Sequence, residues 1–153
     1  MLYLDSSALV KLYIQEKGTE SLKARLVTED ALFSSTLTYA EIHAALATRM
    51  REGAFNRLTF GRAARKFASD WRNAITSIAL DTNVLAQVKQ LVFPFALRGG
   101  DAVHLATAIW LRDRQRRQAA ADSLSLDFAA SDRHLLQAAE QIQFKVFDPA
   151  GRP

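Results

Sequence analysis

Five short apolar runs are spaced along the chain: LYL at 2–4, ALFSS at 31–35, AITSIAL at 74–80, LDFAAS at 126–131 and FKVF at 144–147. Between them lie segments of helical periodicity. Runs of three to seven residues read as strands, and strands joined through helices run parallel, because only a long crossover returns the chain to the same end of a sheet. The pattern therefore predicts an α/β domain with a largely parallel sheet, helices on both faces, and more helix than strand.

The helical segments have recognisable punctuation. Leu9, Leu12 and Tyr13 recur at helix spacing after the first run, and ESLKARLVTED carries Leu22 and Leu26 four apart. Thr38 followed by Glu41 has the spacing of a capping box ahead of a long helix that Gly53 ends. Residues 56–72 mix Leu58, Phe60, Ala64, Phe67 and Trp71 with arginines in an amphipathic pattern, weakened by Gly61 in its midst. Val84, Leu85, Val88 and Leu91 mark another helix, LRGGDAVHLATA opens a further one, and DRHLLQAAEQ reads as a short helix between the last two runs. A polar, alanine-rich connection, RQAAADS, precedes the fourth run. One domain over residues 1–148, with a tail at 149–153, accounts for the whole pattern.

With 153 residues, 49% of them apolar, the chain can bury a core of its own. The absence of cysteine removes disulfides, thiolate metal sites and cysteine nucleophiles, and agrees with a reducing compartment. No signal-like start and no long apolar run is present, so a soluble, cytoplasmic protein without membrane association is expected. A formal charge of +4 and a pI of about 9.7 favour an anionic partner such as nucleic acid. Basic residues cluster at Arg57, Arg62, Arg65, Lys66 and Arg72, and again in RDRQRR at 112–117, where they also suit a helix C-terminus. A stacking platform for single-stranded nucleic acid is not expected from either cluster.

In open parallel sheets the ligand crevice lies beyond the carboxyl ends of the strands. Four acids fall at such places: Asp5 after the first run, Glu41 near the start of the long helix, Asp101 behind two glycines, and Asp132 after FAAS. Each has a structural explanation as a cap or a first-turn acid. Four carboxylates drawn to one sheet edge would repel and raise one another's pKa, and a divalent cation would relieve that conflict. Oxygen-only ligands select Mg²⁺ or Mn²⁺, whereas His43, His104 and His134 lack the spacing of a zinc motif. His104 is expected to be a packing or hydrogen-bonding residue, and Asp81 and Asp148 a cap and a strand end.

Taken in order, LYLDSSALVKLY, TYAEIHAAL, LRGGDAVHLATA and FAASDRHLL resemble the PIN-domain family, in particular the ribonuclease toxins of VapC type from toxin–antitoxin pairs. The resemblance covers essentially the whole chain. It implies a three-layer α/β/α sandwich and a metal-dependent endoribonuclease whose metal-binding, catalytic carboxylates are Asp5, Glu41, Asp101 and Asp132. It further implies that one or two Mg²⁺ ions, with Mn²⁺ as substitute, activate water for attack on an RNA phosphodiester. As partners it implies an antitoxin, which Leu12 and Tyr13 could contact, and assembly as a homodimer and a toxin–antitoxin hetero-oligomer. One departure is Ala130: family members often have a hydroxyl there, two residues before the last Asp, and Ser131 would point to the other side of an extended strand.

Three other readings use the same acids differently. A haloacid-dehalogenase-type phosphatase would want a second Asp where Ser7 stands, and a receiver domain would want paired acids near the first strand. A PIN-like module that binds RNA or protein without cutting keeps the fold and discards the chemistry.

Overall fold

A computed structural model describes residues 1–118 and 125–151. The strands are β1 (Leu2–Leu4), β2 (Leu32–Ser35), β3 (Ile75–Ile78), β4 (Asp127–Ala129) and β5 (Val146–Phe147). The helices are α1 (Ser6–Leu9), α2 (Thr19–Leu26), α3 (Leu37–Arg51), α4 (Arg57–Asn73), α5 (Thr82–Val92), α6 (Gly99–Gln118) and α7 (Arg133–Gln141). All strand pairs are parallel, in the order β3-β2-β1-β4-β5, as the alternation of runs and helical segments requires. Part of the connection RQAAADS, residues 119–123, lies outside the described residues. Among those described, no helix is long and apolar enough to cross a membrane.

The central strand sets the layers. β1 is buried throughout, and the two-residue period of a strand sends Leu2 and Leu4 to one face and Tyr3 to the other. Leu2 and Leu4 join Ala129, Ile42, Leu46 and Phe67 in a core built with α1, α3 and α4. Tyr3 stacks on Phe128, with ring centroids 5.3 Å apart, in a second core that includes Val84, Leu105 and Leu135 from α5, α6 and α7. Two cores back to back across one sheet make the α/β/α sandwich.

Connectivity then locates the crevice. From β1 the chain steps outward to β2 and β3, then returns to the other side of β1 for β4 and β5. The order reverses between β1 and β4, and the carboxyl ends of these strands are where an α/β sheet offers a ligand site. Asp5 follows β1 directly, its N–H donating to the Ala129 carbonyl of β4 at 2.9 Å. Asp132 lies three residues after β4.

Several local expectations need correction. The first helical segment is α1 followed by a 3-10 turn at Val10–Leu12, and Tyr13 packs edge-on against Phe67 in the core. α4 continues through Gly61 without a break. The capping box does not form, because α3 begins at Leu37, which puts Thr38 inside the helix, where its hydroxyl pairs with that of Ser34 on β2 at 2.7 Å. Beyond β5, Pro149 is buried and passes so close to Gly18 that a Cβ there would lie 2.6 Å from its carbonyl carbon and oxygen. Gly18 also has φ +94°, so side-chain bulk and backbone sign both demand glycine.

Candidate active site

Asp5 is 3% exposed and caps α1, its Oδ2 accepting the Ser7 N–H at 3.0 Å and the Ser7 hydroxyl. The Ser7 oxygen accepts in turn the N–H of Ser131 at 2.8 Å. Ser7 thus ties the acid after β1 to the chain leaving β4. This supplies a hydroxyl beside Asp5 although position 130 has none; Ala130 is fully buried in the core with Tyr3 and Phe128. Ser131 is past the end of β4, so strand alternation no longer dictates its direction, and its buried hydroxyl has no partner among the described residues.

Glu41, on α3, reaches α6 instead of its own helix start. Its Oε2 lies 2.7 Å from His104 Nε2, and Asp5 Oδ1 lies 3.3 Å from the same nitrogen. The other imidazole nitrogen is 3.2 Å from the Tyr3 hydroxyl. Two carboxylates beside Nε2 favour the charged ring. Burial opposes that charge, but Asp5, Glu41 and Asp101 outweigh it and raise the His104 pKa. Burial likewise pushes Glu41 up, while the His104 hydrogen bond and charge, with the Ser6 hydroxyl, bring it below the ordinary carboxylate range. The expectation that His104 makes hydrogen bonds is met: it bonds Tyr3 and Glu41, and Asp5 stands at ion-pair distance.

Asp101 is not a cap. α6 begins two residues earlier, at Gly99, so Asp101 stands within the first turn, and its carboxylate accepts no hydrogen bond from any described residue. Its pKa is raised, first by burial and then by the charges of Asp132 and Asp5, against a weaker opposing pull from Arg98 and His104. Gly100 explains part of the LRGGD stretch: a Cβ there would come within 3.2 Å of Glu41 Oε1, so glycine lets the start of α6 close on α3. Asp132 caps α7, Oδ1 accepting the Leu135 N–H at 3.0 Å. Asp81 caps α5 and Asp148 accepts the Ala150 N–H, so neither control acid has more than a local partner.

The oxygen donors are of the type a hard divalent cation takes. The donor set consists of carboxylate oxygens, and Asp101 lacks the neutralising partner that its neighbours demand. Among the described residues no three acids or histidines already close into a coordination cage. His104, which engages both Glu41 and Asp5, is the nearest counter-charge.

Ser7 and His104 are the residues sequence reasoning missed at this site. DSS signalled Ser7 only as a departure from a phosphatase motif, and His104 had only its three-residue offset from Asp101 as a signal. At the far end of α6, Arg114 lays its guanidinium over Trp110 at 5.3 Å from the ring centroid, so an aromatic ring stands beside the RDRQRR cluster.

Comparison with known proteins identifies the family. The model of the PIN domain matches residues 2–147. Ribonuclease VapC49 of Mycobacterium tuberculosis is 36% identical over 113 residues, which are 74% of this chain and 78% of that protein. A solved structure of Mycobacterium tuberculosis VapC20, described as a sarcin-ricin loop cleaving toxin, superposes with a TM-score of 0.65 at 14% identity and full coverage of both chains. A toxin–antitoxin complex from Klebsiella pneumoniae gives a TM-score of 0.65 at 14% identity, covering 97% of this chain and 98% of that one. With its acids gathered where β1 and β4 end and its sequence matched almost from end to end, the chain belongs to the PIN-domain family.

Proposed function

We infer that this protein is an endoribonuclease, the toxin of a toxin–antitoxin pair, which hydrolyses RNA phosphodiesters with Mg²⁺, or Mn²⁺ in its place. The observation that carries the reading is Asp101: a half-buried carboxylate without a hydrogen-bond donor, facing the charges of Asp132 and Asp5, at the crevice of a PIN fold. The 36% identity to a VapC ribonuclease supports the activity, and the toxin–antitoxin complex of the same fold supports the partner.

Asp5, Asp101 and Asp132 would hold the cation, with Glu41 contributing Oε1, because its Oε2 is committed to His104. The cation would supply Lewis-acid stabilisation of charge developing on the phosphate oxygens and lower the pKa of a bound water. The chain's own residues do the rest. Ser7 fixes the rotamer of Asp5 through Oδ2, and the N-cap bond to Leu135 fixes Asp132. His104 holds Glu41 against α6 and offsets part of the negative charge that would otherwise repel an incoming phosphodiester. The basic face of α4 and the net charge of +4 favour approach of RNA. For the antitoxin, Leu12 and Tyr13 line an apolar groove of about 240 Å³ with Leu9, Leu26 and Ile75, a seat for an apolar segment; a homodimer completes the assembly we propose.

The test is cleavage of a total-RNA pool by purified, partner-free protein with Mg²⁺, Mn²⁺ or EDTA, beside folded Asp5→Asn and Asp101→Asn variants. Metal-dependent cutting lost in both variants is expected. RNA that is bound but left intact by the wild type in every metal would overturn the nuclease reading in favour of a binding module.

A further inference from the structure

An open cleft of about 570 Å³ lies between the first turns of α5 and the last turns of α6, away from the acids. Trp110 forms its inner wall, backed by the core on the Tyr3 face of the sheet. Arg114 covers the indole from one helical turn further on, and Arg117 lines the same cleft. Among the described residues neither guanidinium is paired with a carboxylate. The acid of that helix end, Asp113, sits 3.7 Å from Arg112, and Asp81 across the cleft is occupied by the Asn83 and Val84 N–H groups that it caps. Gln87 also lines the cleft, and its buried amide oxygen has no hydrogen-bond partner among the described residues.

Arg114 is exposed and can turn from the indole toward a phosphate; the ring, two unpaired guanidinia and a free acceptor then match the base, the phosphates and the donor groups of a nucleotide. We propose that this cleft is an RNA exosite, holding one nucleotide unit of the strand that is cut at the acids. The proposal rests on the ribonuclease reading above. Arg114 lies thirteen residues beyond Asp101 on one helix, about 20 Å at the helical rise, so only a strand of several nucleotides reaches both places. The cleft therefore acts on substrate length and affinity. The chemical step stays with the carboxylates. An interface with another protein would more commonly present an apolar centre, whereas unpaired cations around a ring suit a polyanion with stacking faces.

The experiment measures binding of fluorescein-labelled single-stranded RNA, 12 or 3 nucleotides long, to Asp101→Asn protein with and without Arg114→Gln and Arg117→Gln, across a salt series. Both arginines are exposed, so the fold should survive, and circular dichroism checks it. Loss of two phosphate contacts lowers the slope of log K against log salt by about 1.4, at about 0.7 per contact with a single strand. Affinity for the 12-mer should fall about tenfold at low salt, and much less for the 3-mer. In a Trp71→Phe background Trp110 is the only tryptophan, and its emission should be quenched by the 12-mer. An unchanged salt slope with unquenched Trp110, in protein that still binds the 12-mer, overturns the exosite and leaves the nuclease intact. A change in oligomeric mass with an unchanged slope also overturns it, marking the cleft as a protein contact. Failure of the wild type either to bind or to cut RNA overturns both readings.

Discussion

His104→Ala is the substitution whose cost the structure specifies most fully. The imidazole is 1% exposed and is held by Tyr3 at 3.2 Å, Glu41 at 2.7 Å and Asp5 at 3.3 Å. Truncation leaves a ring-sized hole, for which large-to-alanine changes in cores cost about 2–5 kcal/mol. It also removes a charge-assisted hydrogen bond worth about 1.5–3 kcal/mol. Two features reduce the sum: Glu41 is one-third exposed and can rehydrate, and Asp5 keeps Ser7. The net expectation is a loss of about 3–5 kcal/mol, a large share of the roughly 5–15 kcal/mol that stabilises a domain. In urea, with m of about 2 kcal/mol/M, the midpoint of metal-free protein should fall by about 2 M at unchanged m. His104→Gln retains an amide donor for Glu41 and should recover about 1–2 kcal/mol of the loss. A midpoint shift under about 0.5 M for His104→Ala would refute the claim that this network braces the crevice.

Three further outcomes follow from named contacts. Asp101→Asn removes a charge that burial, Asp132 and Asp5 all disfavour, so metal-free protein should melt at a higher temperature while calorimetric binding of Mn²⁺ is lost; a lower melting point would contradict the repulsion. Gly18→Ala forces a side chain against Pro149 at positive φ and should cost more than about 1 kcal/mol in urea unfolding, with a neutral result excluding the close approach. Burial would raise the pKa of Glu29 and Asp127, but the hydrogen bonds and charge of Arg25, with the N-terminal ammonium on Glu29 and with Ser125 and Lys145 on Asp127, hold both low. Carboxyls depressed in the fold add stability that is present above about pH 4 and is lost as the pH falls through their folded values; Arg25→Met should therefore flatten the acid limb of a pH–stability curve, and an unaltered limb would show the trio to be inert.

The strands were legible because a central parallel strand must be apolar on both sides, and LYL ending at Asp5 has that form without ambiguity. Local signatures failed where a tertiary partner competed. Thr38 and Glu41 have capping-box spacing, yet Ser34 takes the hydroxyl and His104, sixty-three residues away, takes the carboxylate. His104 shows no metal-motif spacing because its partners come from β1 and α3, and no one-dimensional pattern relates them. Ser7 escaped notice for a similar reason: its bridge to Ser131 spans 124 residues and closes only when β1 and β4 pair.

The acids also show why asking whether a residue is a cap or a ligand poses a false choice here. Asp5 and Asp132 are caps, and capping commits Oδ2 of one and Oδ1 of the other to backbone N–H groups. Capping fixes each rotamer at the carboxyl end of a strand, so the same bonds that start α1 and α7 also aim the remaining oxygens. Asp101 lacks any such bond and is the one whose pKa burial and its acidic neighbours raise. On the function proposed above, two stabilised caps and an uncompensated carboxylate would let a cation gain most at Asp101. That asymmetry predicts unequal substitutions: Asp5→Asn and Asp132→Asn should lower helix stability as well as cation binding, since the amide caps without the charge, whereas Asp101→Asn should separate the two, weakening the cation while leaving the fold as stable or more so.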